Sequence, residues 1–161
     1  MQGFSREELV EAFEKYNERR LESQQSGDWN IWAESFTEDA HYIEHAYGEF
    51  RGRKAIAEWI CDVMAPFPEM TFPQDWIAFD DEKSAIVFQC QNRLPHPKDP
   101  EGAPFSFPTW TRLVYAGNGR FSSEEDIYNP TKDAGPTIKA WIQAGGSFAS
   151  REKVKMQNPG Q

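Results

Sequence analysis

GDWNIWAESFTEDAHYIEHAYGEFRGRKAIAEWI, residues 27–60, holds a turn, a helix, a strand and a second helix in that order. Asp28 is placed to cap a helix over WNIWAESF that ends near Phe36. Thr37-Glu38-Asp39 then reads as a turn. Residues 40–47, AHYIEHAY, carry β-type side chains in two-residue alternation and predict a strand. Tyr42 and Glu44 share one of its faces, and His41, Ile43 and His45 share the other. Residues 48–52 read as a loop. Residues 53–64 follow as a helix with Ile56, Trp59, Ile60 and Val63 on one stripe, stopped by Pro66 and Pro68.

On the N-terminal side, residues 5–26 predict a helix. Ser5 can cap it, Glu8 stands at the capping-box position, and Leu9, Ala12, Phe13, Tyr16 and Leu21 recur at helical spacing. Gly27 closes it. On the C-terminal side the pattern changes to strands over residues 69–79, 84–94, 105–115 and 120–128. Residues 95–104 form a Pro-, Gly- and charge-rich loop that is expected to be mobile. Gly117-Asn118-Gly119 is a hairpin signal. Asn129-Pro130 ends the strands, and a last helix runs to Ala144 with Pro136 in its first turn. The fold class is therefore α+β: a cone-shaped, curved, mixed or antiparallel sheet covered by N-terminal helices and enclosing a hydrophobic pocket. Residues 1–145 make one domain, and 146–161 a polar tail expected to be loose.

Composition limits the function. The 161 residues carry Lys+Arg 17 against Asp+Glu 26, a formal net charge of −9. That field repels a phosphate backbone and an anionic membrane, so neither nucleic acid nor membrane is an expected partner. The chain has no run of 18 apolar residues and no signal-peptide core, and a cytoplasmic location is expected. Cys61 and Cys90 do not make a disulfide framework. His41-x-x-x-His45 has a metal-like spacing only on a helix. On a strand it spans about 13 Å, and Glu44 points the other way, so no metal is expected. No phosphate loop, nucleophile elbow or dinucleotide fingerprint occurs, so no cofactor is implied.

Three stretches together, residues 27–60, VFQCQNRLP (87–95) and YAGNGRFSSEEDIYNP (115–130), resemble the nuclear transport factor 2-like superfamily, with its SnoaL-like polyketide cyclases and ketosteroid isomerases. The resemblance implies one of several activities, since this fold hosts isomerases, cyclases, dehydratases, epoxide hydrolases, a lyase that deformylates phenolic diaryl compounds, and members that only bind. It also implies a homodimer packed through the outer face of the sheet. Asp126 matches the position of the catalytic acid in the cyclases and the epoxide hydrolases. Tyr42 and Glu44 match the spacing of a Tyr and an amide that face the hydrolase pocket. The acid in place of the amide, and Cys90 with Asn92 in place of an Arg–Asp pair, depart from the hydrolase pattern.

Alternation alone puts Glu124, Asp126 and Tyr128 on one face, and Phe88, Cys90 and Asn92 on another shared face. A carboxylate among Trp and Phe is a candidate general base; on an outward face it is only a solvated charge. Tyr42 either lines the pocket or is an amphipathic core residue. His45 turns inward as an acid or base only if its strand is twisted or bulged. Trp29, Trp32 and Trp59, with Phe88 and Trp110, would wall an aromatic cavity suited to a flat hydrophobic molecule. The expectation is a cofactor-independent acid–base enzyme, by preference a lyase on a phenolic or aromatic small molecule. Asp126, Tyr42, Tyr128 and His45 would carry the chemistry, with Glu44, Asn92, Phe88, Trp59, Trp110 and Trp29 holding the substrate. An isomerase or polyketide cyclase on a polycyclic ketone, and a dimeric module that only binds hydrophobic ligands, remain alternatives.

Overall fold

The computed structural model describes residues 3–150 and 154–156. Helix α1 (Arg6–Ser26) begins at the expected capping box. The Ser5 side chain accepts from the Glu8 amide while Glu8 accepts from the Ser5 amide. It ends on Gly27, whose left-handed φ of 78° releases the chain into a turn. Asp28, the expected cap, accepts from the Asn30 amide but lies one residue too early: the N-cap of α2 (Asn30–Ala33) is Trp29, with no side-chain cap, and the helix is a single turn. Phe36 already belongs to a strand.

That strand, β1 (Phe36–Glu44), starts four residues before the expected one and takes in Thr37-Glu38-Asp39. It also ends earlier. The Glu44 carboxylate accepts from the Ala46 and Tyr47 amides, at 2.8 and 2.5 Å, and folds the chain back. The Glu44 side chain and Gly48, whose φ is 121°, make this turn, so residues 45–47 themselves carried no turn signature. The expected loop at 48–52 is instead mostly a short edge strand, β2 (Gly48–Arg51), paired with β1. Helix α3 (Arg53–Met64) follows as expected.

The strands β3 (Gln74–Asp80), β4 (Ala85–Leu94), β5 (Phe105–Gly117) and β6 (Arg120–Ile127) complete a six-stranded sheet of order β2-β1-β6-β5-β4-β3. Of the expected strand at 69–79, the first part makes only an isolated bridge, Thr71 to Arg93. The ladder begins beyond Pro73, which has no amide to donate. The β5–β6 hairpin turns on Asn118 and Gly119, both with positive φ (54° and 68°), as a tight primed turn requires. Among the described residues only β1 and β6 pair in parallel. Register shifts in β1–β6, β3–β4 and β5–β6 curve the sheet, which stays open rather than closing on itself.

Helices α1 to α3 cover its concave face. Phe13 and Tyr16 of α1 lie against Phe88, Trp32 against Tyr42, and Trp59 against Tyr42. Leu21, expected on the buried stripe of α1, is 52% exposed. After β6, a π-helical turn (Pro130–Ala134), capped by Asn129, leads into α4 (Gly135–Gln143). The segment beyond it is not simply a loose polar tail. Phe148 packs on Phe67 and Trp141, and the Ala149 amide donates to the Pro66 carbonyl at 3.0 Å. Residues 151–153 and 157–161 of that expected tail lie outside the described residues.

Candidate active site

The concave face and its helices enclose a cavity of about 630 Å³. Its wall is largely apolar, built from Trp29 beside α2, Trp32, Trp59, Phe88 and Phe107, with Ile138 and Ile142 of α4 at one side. Polar groups enter it from the inward positions of three adjacent strands: Tyr42 and Glu44 on β1, Glu124 and Asp126 on β6, Thr109 and Thr111 on β5. Strand alternation selects these residues, and register brings them together. Thr111 stands directly across from Asp126 on one side of β6, and Glu44 directly across from Asp126 on the other.

Asp126 is the centre of this cluster. The Thr111 hydroxyl donates to Asp126 Oδ1 at 2.5 Å, and the Tyr42 hydroxyl donates to Oδ2. Burial raises its pKa to about 6, and those two hydrogen bonds limit the rise. Glu124, one inward position away, is 2% exposed, and the Tyr16 hydroxyl lies 3.1 Å from both of its oxygens. Burial, and after it the charge of Asp126, drives the Glu124 pKa well above the usual carboxylate range. The charge of Asp126 thus opposes ionisation of Glu124 on the same inward face of β6. Burial also raises Glu44, opposed by hydrogen bonds from Tyr128 and from the turn amides. The same burial holds the Tyr42 and Tyr128 hydroxyls protonated.

The other expected site residues divide between the two faces of the sheet. Tyr128, Phe88, Asn92, Trp59 and Trp29 line the cavity. Asn92 is already engaged, donating to Thr109 Oγ1 at 2.6 Å. Trp110 does not face the cavity. It alternates with the inward Thr109 and Thr111, and it is 51% exposed on the outer face against Trp76. Its Nε1 donates to Gln89 Oε1. His45 is not in the cavity either. It follows the end of β1 on the outward side, where its Nε2 sits 2.9 Å from Glu125 Oε1. No bulge falls between Tyr42 and Glu44 to turn it inward. Cys90 lines the cavity with a thiol that burial pushes up to about 12, unsuited to nucleophilic attack.

Tyr16 and Thr111 are the contributors the sequence did not single out. Tyr16 sits on the stripe of α1 read from helical spacing, whereas the expectation of Trp110 in the cavity wall implied the opposite phase for Thr111; a hydroxyl aimed at a carboxylate also looks the same in sequence as one in ordinary core. Among the described residues no group of three or more His, Cys, Asp or Glu side chains is disposed to hold a metal ion. No helix among them is long and apolar enough to cross a membrane.

Solved structures share this architecture. A Catenulispora acidiphila protein with a ketosteroid isomerase-like fold, crystallised with trimethylamine, superposes with a TM-score of 0.61 at 18% identity. The match covers 77% of this chain and 92% of that one. A Jannaschia protein provisionally described as a SnoaL-like polyketide cyclase gives 0.61 at 16% identity, over 94% and 99% of the two chains. An LEH-like epoxide hydrolase from M. tuberculosis gives 0.57 at 14% identity, over 84% and 92%. At these identities the likeness is one of fold. No curated protein sequence matches the chain. The model of the SnoaL-like domain matches residues 10–123, from near the start of α1 into β6, and the chain belongs to the SnoaL-like family.

Proposed function

We propose that this chain is a cofactor-independent acid–base enzyme acting on a hydrophobic, phenolic or aromatic small molecule, by preference a lyase of the dehydration or retro-aldol type. One observation carries the reading. Asp126 is half-buried, faces an aromatic-walled cavity, and has its pKa raised to about 6 by desolvation, against two hydroxyl donors that oppose the rise. A base with that value is ionised at neutral pH yet still basic enough to take a proton from substrate. Tyr42 and Tyr128, kept protonated, would donate to a carbonyl or phenol oxygen as charge develops on it. Glu124, whose pKa burial drives up, supports a second reading. A neutral acid and a phenol next to a carboxylate base also suit enolisation of a polycyclic ketone, an isomerase reaction.

The test is incubation with phenolic diaryl compounds, steroid enones and polycyclic ketones, followed by absorbance and product mass. Loss of water or of a one-carbon unit supports the lyase. An unchanged mass with a shifted spectrum supports isomerisation or cyclisation. Tight binding without turnover across the panel overturns the enzymatic reading.

A homodimer belongs to the same proposal. Trp76, Gln89, Trp110 and Ile127 form one cross-strand row on the outer face, and Trp76, Trp110 and Ile127 are exposed. A second copy packed there would cover the row. Trp110→Glu is expected to shift the sedimentation of the dimer to that of a monomer; an unchanged value rejects this face as the interface.

A further inference from the structure

Helix α1 breaks its own burial rule at one place. Its inward stripe runs Leu9, Ala12, Phe13, Tyr16 and Ser23, all buried. The slot between Tyr16 and Ser23, four residues after one and three before the other, is held by Arg20, while the adjacent Leu21 faces solvent at 52% exposure. A fold built for stability alone would put the leucine inward and the arginine out. Arg20 instead lines the cavity, with its guanidinium about 6 Å from the ring centres of Tyr16, Phe72 and Phe88.

Its charge is only partly answered there. Among the described residues, no carboxylate forms an ion pair with Arg20, and its one hydrogen bond runs from Nη2 to Asn17 Oδ1 at 2.9 Å. A guanidinium has five N–H donors, so most of the fork is unused. The aromatic faces offset part of the desolvation and leave the planar group able to take two oxygens side by side.

We propose that Arg20 is a specificity-determining residue that binds an anionic oxygen group, a carboxylate in its simplest form, on the aromatic molecule the cavity accepts. The inference rests on the reading of the cavity as a substrate site. It defines the ligand as an aromatic acid, with its ring against Phe72 and Phe88 and its charge on α1. The reacting part would then lie toward Asp126, on the same cavity wall as Thr111 and Tyr42.

The test uses 2-naphthoate and its uncharged counterpart 2-naphthamide, titrated against tryptophan fluorescence at pH 7.5. Wild type is expected to bind the naphthoate at least about tenfold more tightly, the order expected for one charge-assisted pair. Arg20→Gln should bring that ratio near one, and Arg20→Lys should keep part of it. The affinity for naphthamide should change little in either variant, which separates loss of charge recognition from loss of fold. Equal affinities in wild type, no binding of naphthoate, or an unchanged ratio in Arg20→Gln overturns the proposal. The readout needs no turnover. Failure of the acid–base chemistry, seen as activity that survives removal of Asp126, is therefore distinguishable from failure of the anion site.

Discussion

Asp126→Asn is expected to lower kcat about 10²- to 10⁴-fold on whatever substrate the panel identifies, the range contributed by a positioned acid or base. The amide preserves the local geometry. Its oxygen can accept from Tyr42, and its nitrogen can donate to Thr111 Oγ1, so the cavity should keep its shape. In wild type, kcat/KM should rise with pH through about 6 and then level, as Asp126 becomes the ionised base. The variant should lack that limb. Retained activity in the variant would remove Asp126 from the mechanism.

The same substitution makes a stability prediction of definite sign. The folded pKa of Asp126 lies above its ordinary value. The native state therefore binds the proton more tightly than the unfolded chain does. Stability from this source is fully present below the unfolded pKa of about 4 and is lost as pH rises through about 6. Above that pH the ionised group is a liability on the order of 3 kcal/mol. Asn carries no such liability. The melting temperature of Asp126→Asn relative to wild type should therefore climb between pH 4 and pH 8. A difference that stays flat with pH would mean Asp126 is not desolvated as described.

Phe121→Ala should cost about 3–5 kcal/mol, the usual range for removing a fully buried aromatic ring. Phe121 has no exposed surface. Its ring lies 5.8 Å from Tyr16 and 5.7 Å from Tyr115, and across the parallel β1–β6 ladder it registers with Phe36, which is also fully buried. The void would open under the one place where the first and last strands join. Urea unfolding should show a lower midpoint at an unchanged slope. A loss below about 1 kcal/mol would show that the neighbouring rings close over the gap. Tyr16 rests on Phe121 and reaches Glu124, so the variant should also loosen the support of the carboxylate pair.

The capping box at Ser5 and Glu8, the Asn118-Gly119 turn and the alternation of β4 and β6 were all legible, because each is a local signal carried by neighbouring residues. The missed features had non-local or unconventional causes. The turn at 45–47 is made by the Glu44 carboxylate with Gly48. The edge strand β2 exists because β1 offers it a partner. Trp110 and Trp59 are the same residue type in strongly apolar surroundings. Only strand phase, counted from Thr109 and Thr111, sends Trp110 to the outer face while α3 turns Trp59 into the cavity.

By itself the sequence determined the α+β class, the order of helices and strands, and the shared faces that carry Tyr42 with Glu44, and Glu124 with Asp126 and Tyr128. Periodicity and turn chemistry are properties of the chain alone. Tertiary structure decided which of these groups meet. The parallel pairing of β1 with β6 joins residues more than 80 positions apart and sets Tyr42 on Asp126, while the antiparallel pairing of β5 with β6 places Thr111 on its other oxygen. It also decided that Arg20 rather than Leu21 faces the cavity. Helical spacing puts position 20 in phase with Tyr16 and Ser23, but only the packing of α1 shows that a charged side chain fills that inward slot.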